Sequence, residues 1–122
     1  MTNRFAKLFI TSVLIALVSG CSVSPEQAQI NREARLAQQF PNPADRQGMY
    51  IVWQSTVSKF NVEYLANEIT EANAVSRVGQ LCRKLGQGSD ARLVERWTAM
   101  NRNVTLGDGS TAPVRAVKVD CV

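Results

Sequence analysis

The stretch NVEYLANEITEANAVSRVGQLCRKLG, residues 61–86, decides the fold. From Asn61 onward Leu65, Ile69, Ala72, Val75, Val78, Cys82 and Leu85 recur at three-and-four spacing. That period puts them on one face of an α-helix. Gly86 supplies the stop, and Arg83 and Lys84 in the last turn complement the helix dipole. The spacing predicts one amphipathic helix with Cys82 on its apolar face, able to reach a sheet.

A different period holds on either side. Between Met49 and Lys59 the residues Met49, Ile51, Trp53, Ser55 and Val57 alternate with Tyr50, Val52, Gln54, Thr56 and Ser58. β-branched and aromatic residues in alternation predict a strand, with Trp53 in the core. Segment 90–100 reads two ways. Leu93, Trp97 and Met100 suit a helix capped by Ser89 or Asp90; alternatively 92–106 is a strand. The preferred reading is the strand, turned by Gly107-Asp108-Gly109-Ser110 into a final strand over 113–122. In that last strand Val117, Val119 and Cys121 share a face against Ala116, Lys118 and Asp120. The turn would place Met100 opposite Val117 and Thr98 opposite Val119, with Trp97 on the other face near Asp120. One helix on three strands is the economical solution: an α+β fold, a two-layer β-α-β-β domain over residues 44–122.

Upstream, Ser24-Pro25-Glu26-Gln27 is a helix start, with Ser24 as cap, Pro25 at the first helical position and Gln27 completing a capping box. The helix runs from about Pro25 to Gln39 and is ended by Pro41-Asn42-Pro43. Its apolar face is weak, so it is expected as a solvated helical stalk within residues 21–43. Ile30, Leu36 and Phe40 are its candidate partner-binding residues.

The N-terminus carries a different signal. Arg4 and Lys7 precede an apolar run from Leu8 to Val18, eleven residues with Thr11 and Ser12 inside it. A membrane-spanning helix needs about 20 apolar residues, so the run suits an export signal. It ends in Val18-Ser19-Gly20-Cys21, which resembles the lipobox of bacterial lipoproteins. The resemblance implies that residues 1–20 are cleaved and that Cys21 is lipidated as the new first residue. Two or three acyl chains then anchor it, because each buried methylene contributes about 0.8 kcal/mol. Ser22 stands where that family places Asp for inner-membrane retention. Its presence implies sorting to the outer membrane, with the domain facing the periplasm.

That processing changes two readings. Of 14 cations Arg4 and Lys7 leave with the signal, so 12 face 10 carboxylates and the net charge falls from +4 to +2. No basic stripe with interleaved aromatics remains, and nucleic acid is not an expected partner. Cys82 and Cys121 are the only other cysteines. In an oxidising envelope they are expected to pair, without a Cys-x-x-Cys redox motif. A helix and a last strand that both carry cysteines make the arrangement similar to small β-α-β-β envelope lipoproteins of the Rcs stress-sensor type.

Histidine is absent, so no Ser-His or Cys-His pair can form and no imidazole can hold a metal. The carboxylates are scattered without a paired-acid motif. Gly86-Gln87-Gly88 and Gly107-Asp108-Gly109 lack the spacing and the Lys-Ser/Thr of a phosphate loop. Asn103-Val104-Thr105 matches a glycosylation sequon only by chance in a bacterial lipoprotein. The expectation is a non-catalytic interaction or assembly module with an envelope protein partner and no cofactor. It would belong to a secretion or conjugation machine or a stress-signalling system, with Tyr50 and Trp97 as further contact candidates. The alternative is a small-ligand or cell-wall binding lipoprotein, which needs a cleft that so small a domain leaves little room for.

Overall fold

Thr70 is where the helical period takes over. In the computed structural model, which describes residues 23–122, the Thr70 hydroxyl accepts from the Asn73 amide at 3.2 Å and caps a helix over Glu71–Lys84. The ten residues before it are not helical. Met49–Thr56 forms strand β1 and Lys59–Leu65 forms strand β2, joined through Val57 and Ser58 as an antiparallel hairpin. The helix expected from Asn61 is therefore corrected. Phe60, Val62 and Tyr64 alternate onto one buried face of β2, and Leu65 points the other way. The helical spacing of Leu65 and Ile69 bridges a strand end and a turn.

Five antiparallel strands replace the three expected. β3 is Ala91–Arg96, β4 is Arg102–Thr105 and β5 is Thr111–Cys121. The order is β1-β2-β5-β3, and β4 also pairs with β5, so β3 and β4 lie end to end along one side of it. A 3-10 turn over Thr98–Met100 divides them. This corrects the register: Arg96 stands opposite Val117 and Leu93 opposite Val119, while Arg102 stands opposite Val114. The ladder is held across the break by Trp97, whose amide donates to the Ala116 carbonyl at 2.9 Å, and by Asn101, whose side-chain oxygen accepts from the Ala116 amide. The 107–110 turn forms as expected. Leu106 donates to the Ser110 carbonyl, and Gly109 takes the positive φ of 84° that the turn requires.

Residues directly opposite across strands share a face. One face carries Val52, Phe60, Val62, Tyr64, Val117 and Val119, all buried. The helix over Glu71–Lys84 covers it with Ala74, Val78, Leu81 and Cys82. Cys82 and Cys121 lie at disulfide distance, their Cα atoms 5.5 Å apart, and join helix to last strand. Closing a loop of 39 residues removes roughly 4 kcal/mol of unfolded-state entropy by the chain model.

The first helix, α1, spans Pro25–Gln39, capped by Ser24, and a single-turn helix, α2, follows at Pro43–Arg46. The helix over Glu71–Lys84 is α3. The distal part of α1 is not a free stalk. Leu36 is 5% exposed and Phe40 2%, both within the same core as the sheet and α3. The Gln39 side-chain amide donates to the Val52 carbonyl at 2.8 Å, and the Gly107 amide donates to Gln29. Residues 36–40 thus share a core with residues 44–122, although the sequence suggested a division at 43. The signal segment and Cys21 lie outside the described residues.

Candidate partner-binding surface

Strand alternation sends Ile51, Trp53, Asn61, Glu63, Ala116 and Lys118 to the face opposite α3. α3 packs on the other face, while α1 borders this one along the β1 edge, where Arg32 lies over Tyr50 and lines a cleft with Trp53. The cover of this face is aromatic. Trp97 arrives there through its bond to Ala116, and its ring centroid lies 6.2 Å from that of Trp53 at 53°. Tilted pairs at this separation are favourable by about 0.5–1.5 kcal/mol beyond area burial. Lys118 Nζ sits 4.6 Å from the Trp97 centroid and 4.0 Å from a Glu95 oxygen. Both tryptophans are half-buried. Trp53 is thus not the core residue its alternation suggested: it points away from α3 and stays half-buried.

A second aromatic station lies nearer α1. A bulge between Met49 and Ile51 turns Tyr50 out of the ladder. The Arg32 guanidinium lies 4.3 Å from the Tyr50 centroid and that of Arg102 lies 5.8 Å away. Arg102 also pairs with Glu63 and donates to the Met100 carbonyl at 3.0 Å. Glu63 is the one buried charged residue among those described. A buried carboxylate in an apolar sheet requires a counter-charge, which β4 supplies from beyond β5.

Two clefts flank α1. One of about 380 Å³ is bordered by Gln29, Glu33, Arg46, Gln47, Glu68 and Leu106. The other, of about 240 Å³, lies between α1 and β1 and is lined by Arg32, Arg35, Gln39, Tyr50, Val52 and Trp53. The domain therefore does have room for a cleft, which opens where α1 meets the sheet edge. On the opposite face Arg96 makes two hydrogen bonds to Glu71, of 2.8 and 2.9 Å, and holds that carboxyl below its usual range. Burial pushes the nearby Tyr64 hydroxyl up. Neither group lines either of these two clefts.

Of the residues singled out from sequence, Ile30 is 58% exposed on α1 and remains free to touch a partner, whereas Leu36 and Phe40 are covered by the chain's own sheet. The structure brings Tyr50 together with Arg32 and Arg102, and Trp97 together with Trp53. Glu63, Arg32, Arg102 and Trp53 were not expected here. The alternation Phe60, Val62, Tyr64 was the signal that could have revealed Glu63. Among the described residues no three His, Cys, Asp or Glu side chains are placed to hold a metal ion, and no helix is long and apolar enough to cross a membrane. Comparison with protein-family models, curated proteins and solved structures gives no significant match for this chain.

Proposed function

We propose that the chain is a lipid-anchored, non-catalytic module of the bacterial envelope that holds a protein partner on the face of its sheet opposite α3. Cys21 is the anchor at the outer membrane, in the periplasmic orientation that Ser22 favours. The short link between anchor and domain ends at Ser24, the cap of α1, with Val23 before it and Ile30 on α1 both at the surface. The observation that carries the reading is the half-exposed Trp53–Trp97 pair on the sheet face opposite α3. Tryptophan is enriched among the residues that dominate binding energy, and this pair is already ordered by cross-strand packing.

A photo-crosslinking residue at position 97 tests the reading against one at Ser76, an exposed site on α3. The expected result is a discrete adduct at 97 that is missing at 76, is lost with Trp53→Ala, and re-forms from the two purified proteins. Equal adducts at both positions, or none at 97, refute it. Intact mass of membrane-extracted protein tests the anchor in parallel: loss of residues 1–20 with acyl mass on Cys21 is expected, and an unmodified Cys21 refutes lipidation.

A further inference from the structure

The cleft between α1 and β1 has a composition that partner contact in general does not require. Its charged lining is Arg32 and Arg35, with no carboxylate. Neither arginine forms an ion pair among the described residues. Glu33 and Glu68 line the other cleft, which Arg32 and Tyr50 also border, so Arg35 is the arginine that belongs to this cleft alone. Two guanidinium groups one turn apart on a helix repel each other unless an anion lies between them. Planar guanidinium groups match a carboxylate with paired hydrogen bonds.

The floor of the cleft is the outer edge of β1. Val52 turns its carbonyl outward, where the Gln39 amide meets it as the N–H of a neighbouring strand would. N–H and C=O groups repeat their direction every second residue of an antiparallel strand. Gln54 therefore also presents its peptide groups to that edge, beyond the end of α1 at Gln39. An extended chain can pair there. A glycan would find the Tyr50 ring occupied by Arg32 and Arg102, which leaves Trp53, itself paired with Trp97, as its stacking surface.

We infer that this cleft binds an acidic, extended segment of the partner protein, with Arg32 and Arg35 gripping one of its carboxylates and Gln54, just beyond the cleft lining, pairing with the segment's backbone where it leaves the cleft. The inference rests on the interaction-module reading and names the partner's chemistry. The segment would carry Asp or Glu at alternate positions, so that successive carboxylates fall on the same side as the arginines.

The test uses the protein expressed from the full-length sequence and purified in detergent. A capped eight-residue peptide of alternating Thr and Glu is titrated while tryptophan fluorescence is followed, with the Thr/Gln counterpart and soluble cell-wall glycan fragments as comparison probes. Saturable quenching by the Thr/Glu peptide is expected, at least tenfold weaker with Thr/Gln. Arg35→Gln and Arg32→Gln should each weaken binding five- to tenfold. Arg92→Gln, which removes the same charge from β3, should change it less than twofold. Equal affinity for the Thr/Gln peptide, an unchanged Arg35→Gln titration, or binding of the glycan in place of the peptide overturns the inference. A crosslinked adduct at position 97 that survives both arginine substitutions also overturns it, while leaving the interaction module standing.

Discussion

Removing Arg102 should cost the fold more than removing its partner Glu63. Exposure sets the asymmetry, with the Arg102 side chain 39% exposed and Glu63 3%. Breaking a fully buried pair by deleting one member costs about 3–5 kcal/mol, and an exposed pair contributes about 0–1 kcal/mol. Arg102→Met keeps the apolar stem and strands the Glu63 carboxylate beneath the sheet surface. Water reaches it only partially, so the expected loss is about 2–3 kcal/mol. Glu63→Met leaves Arg102 free to turn into solvent and should cost about 0.5 kcal/mol. The double variant should cost about 1 kcal/mol, since the lost bond from Arg102 to the Met100 carbonyl has no substitute. The coupling free energy is then about 2 kcal/mol in magnitude. Urea unfolding at pH 7, followed by far-UV circular dichroism, measures all four corners of the cycle. A constant denaturant slope is the check that the same transition is compared. Arg102→Met should also lower Tm by roughly 10–20 °C, given about 4–8 °C per kcal/mol at this size. A coupling below about 0.5 kcal/mol, or a Glu63→Met variant less stable than Arg102→Met, refutes the reasoning.

Replacing Cys82 and Cys121 together with Ala should destabilise the domain by roughly 4 kcal/mol, read as a drop in the urea midpoint; unchanged midpoints in oxidising buffer show that the pair does not bridge. Phe40→Ala should cost about 3–5 kcal/mol and Ile30→Ala less than about 0.5 kcal/mol, and similar small losses at both positions would return α1 to the status of a free stalk. Glu71→Gln should lower stability at neutral pH. The carboxyl is held low in the folded state, so its contribution is present above the unfolded glutamate range near pH 4.3 and is lost as pH falls through the lower folded value. A stability difference that stays constant from pH 7 to pH 2 excludes that linkage.

α3, the Gly107–Ser110 turn and the last strand are legible in sequence because each carries its own local signal: a sustained helical period, a glycine-rich turn and clean alternation. β2 is not. Its buried face, Phe60, Val62 and Tyr64, is interrupted by Glu63, which is buried as well, so polarity no longer reports exposure. Leu65 then falls at helical distance from Ile69 and lends the strand to the helix that follows. The division of β3 from β4 is equally hidden, since Trp97 and Asn101 keep the ladder through bonds that no periodicity records. Cys82 and Cys121 could be paired by counting, whereas the Trp53–Trp97 platform depends on the strand order β1-β2-β5-β3, which brings the two rings together across β2 and β5.

The placement of α1 ties these features to the proposed anchor. A helix with so weak an apolar face gains little stability alone, and here it is held by Leu36 and Phe40 at one end and by Gln29 at the other. Between those fixings it leaves a cleft whose lining is shared by helix and strand. Any pull on the chain between Cys21 and α1 reaches that lining before it reaches the stapled layers, because α3 and β5 are joined by Cys82 and Cys121. If Cys21 is the anchor proposed above, the element next to the membrane is also a wall of the proposed binding cleft, and tension on the anchor and occupancy of the cleft would act on the same helix. Whatever seats a carboxylate between Arg32, Arg35 and the edge of β1 also fastens α1 to the sheet, so binding and attachment of α1 should reinforce each other.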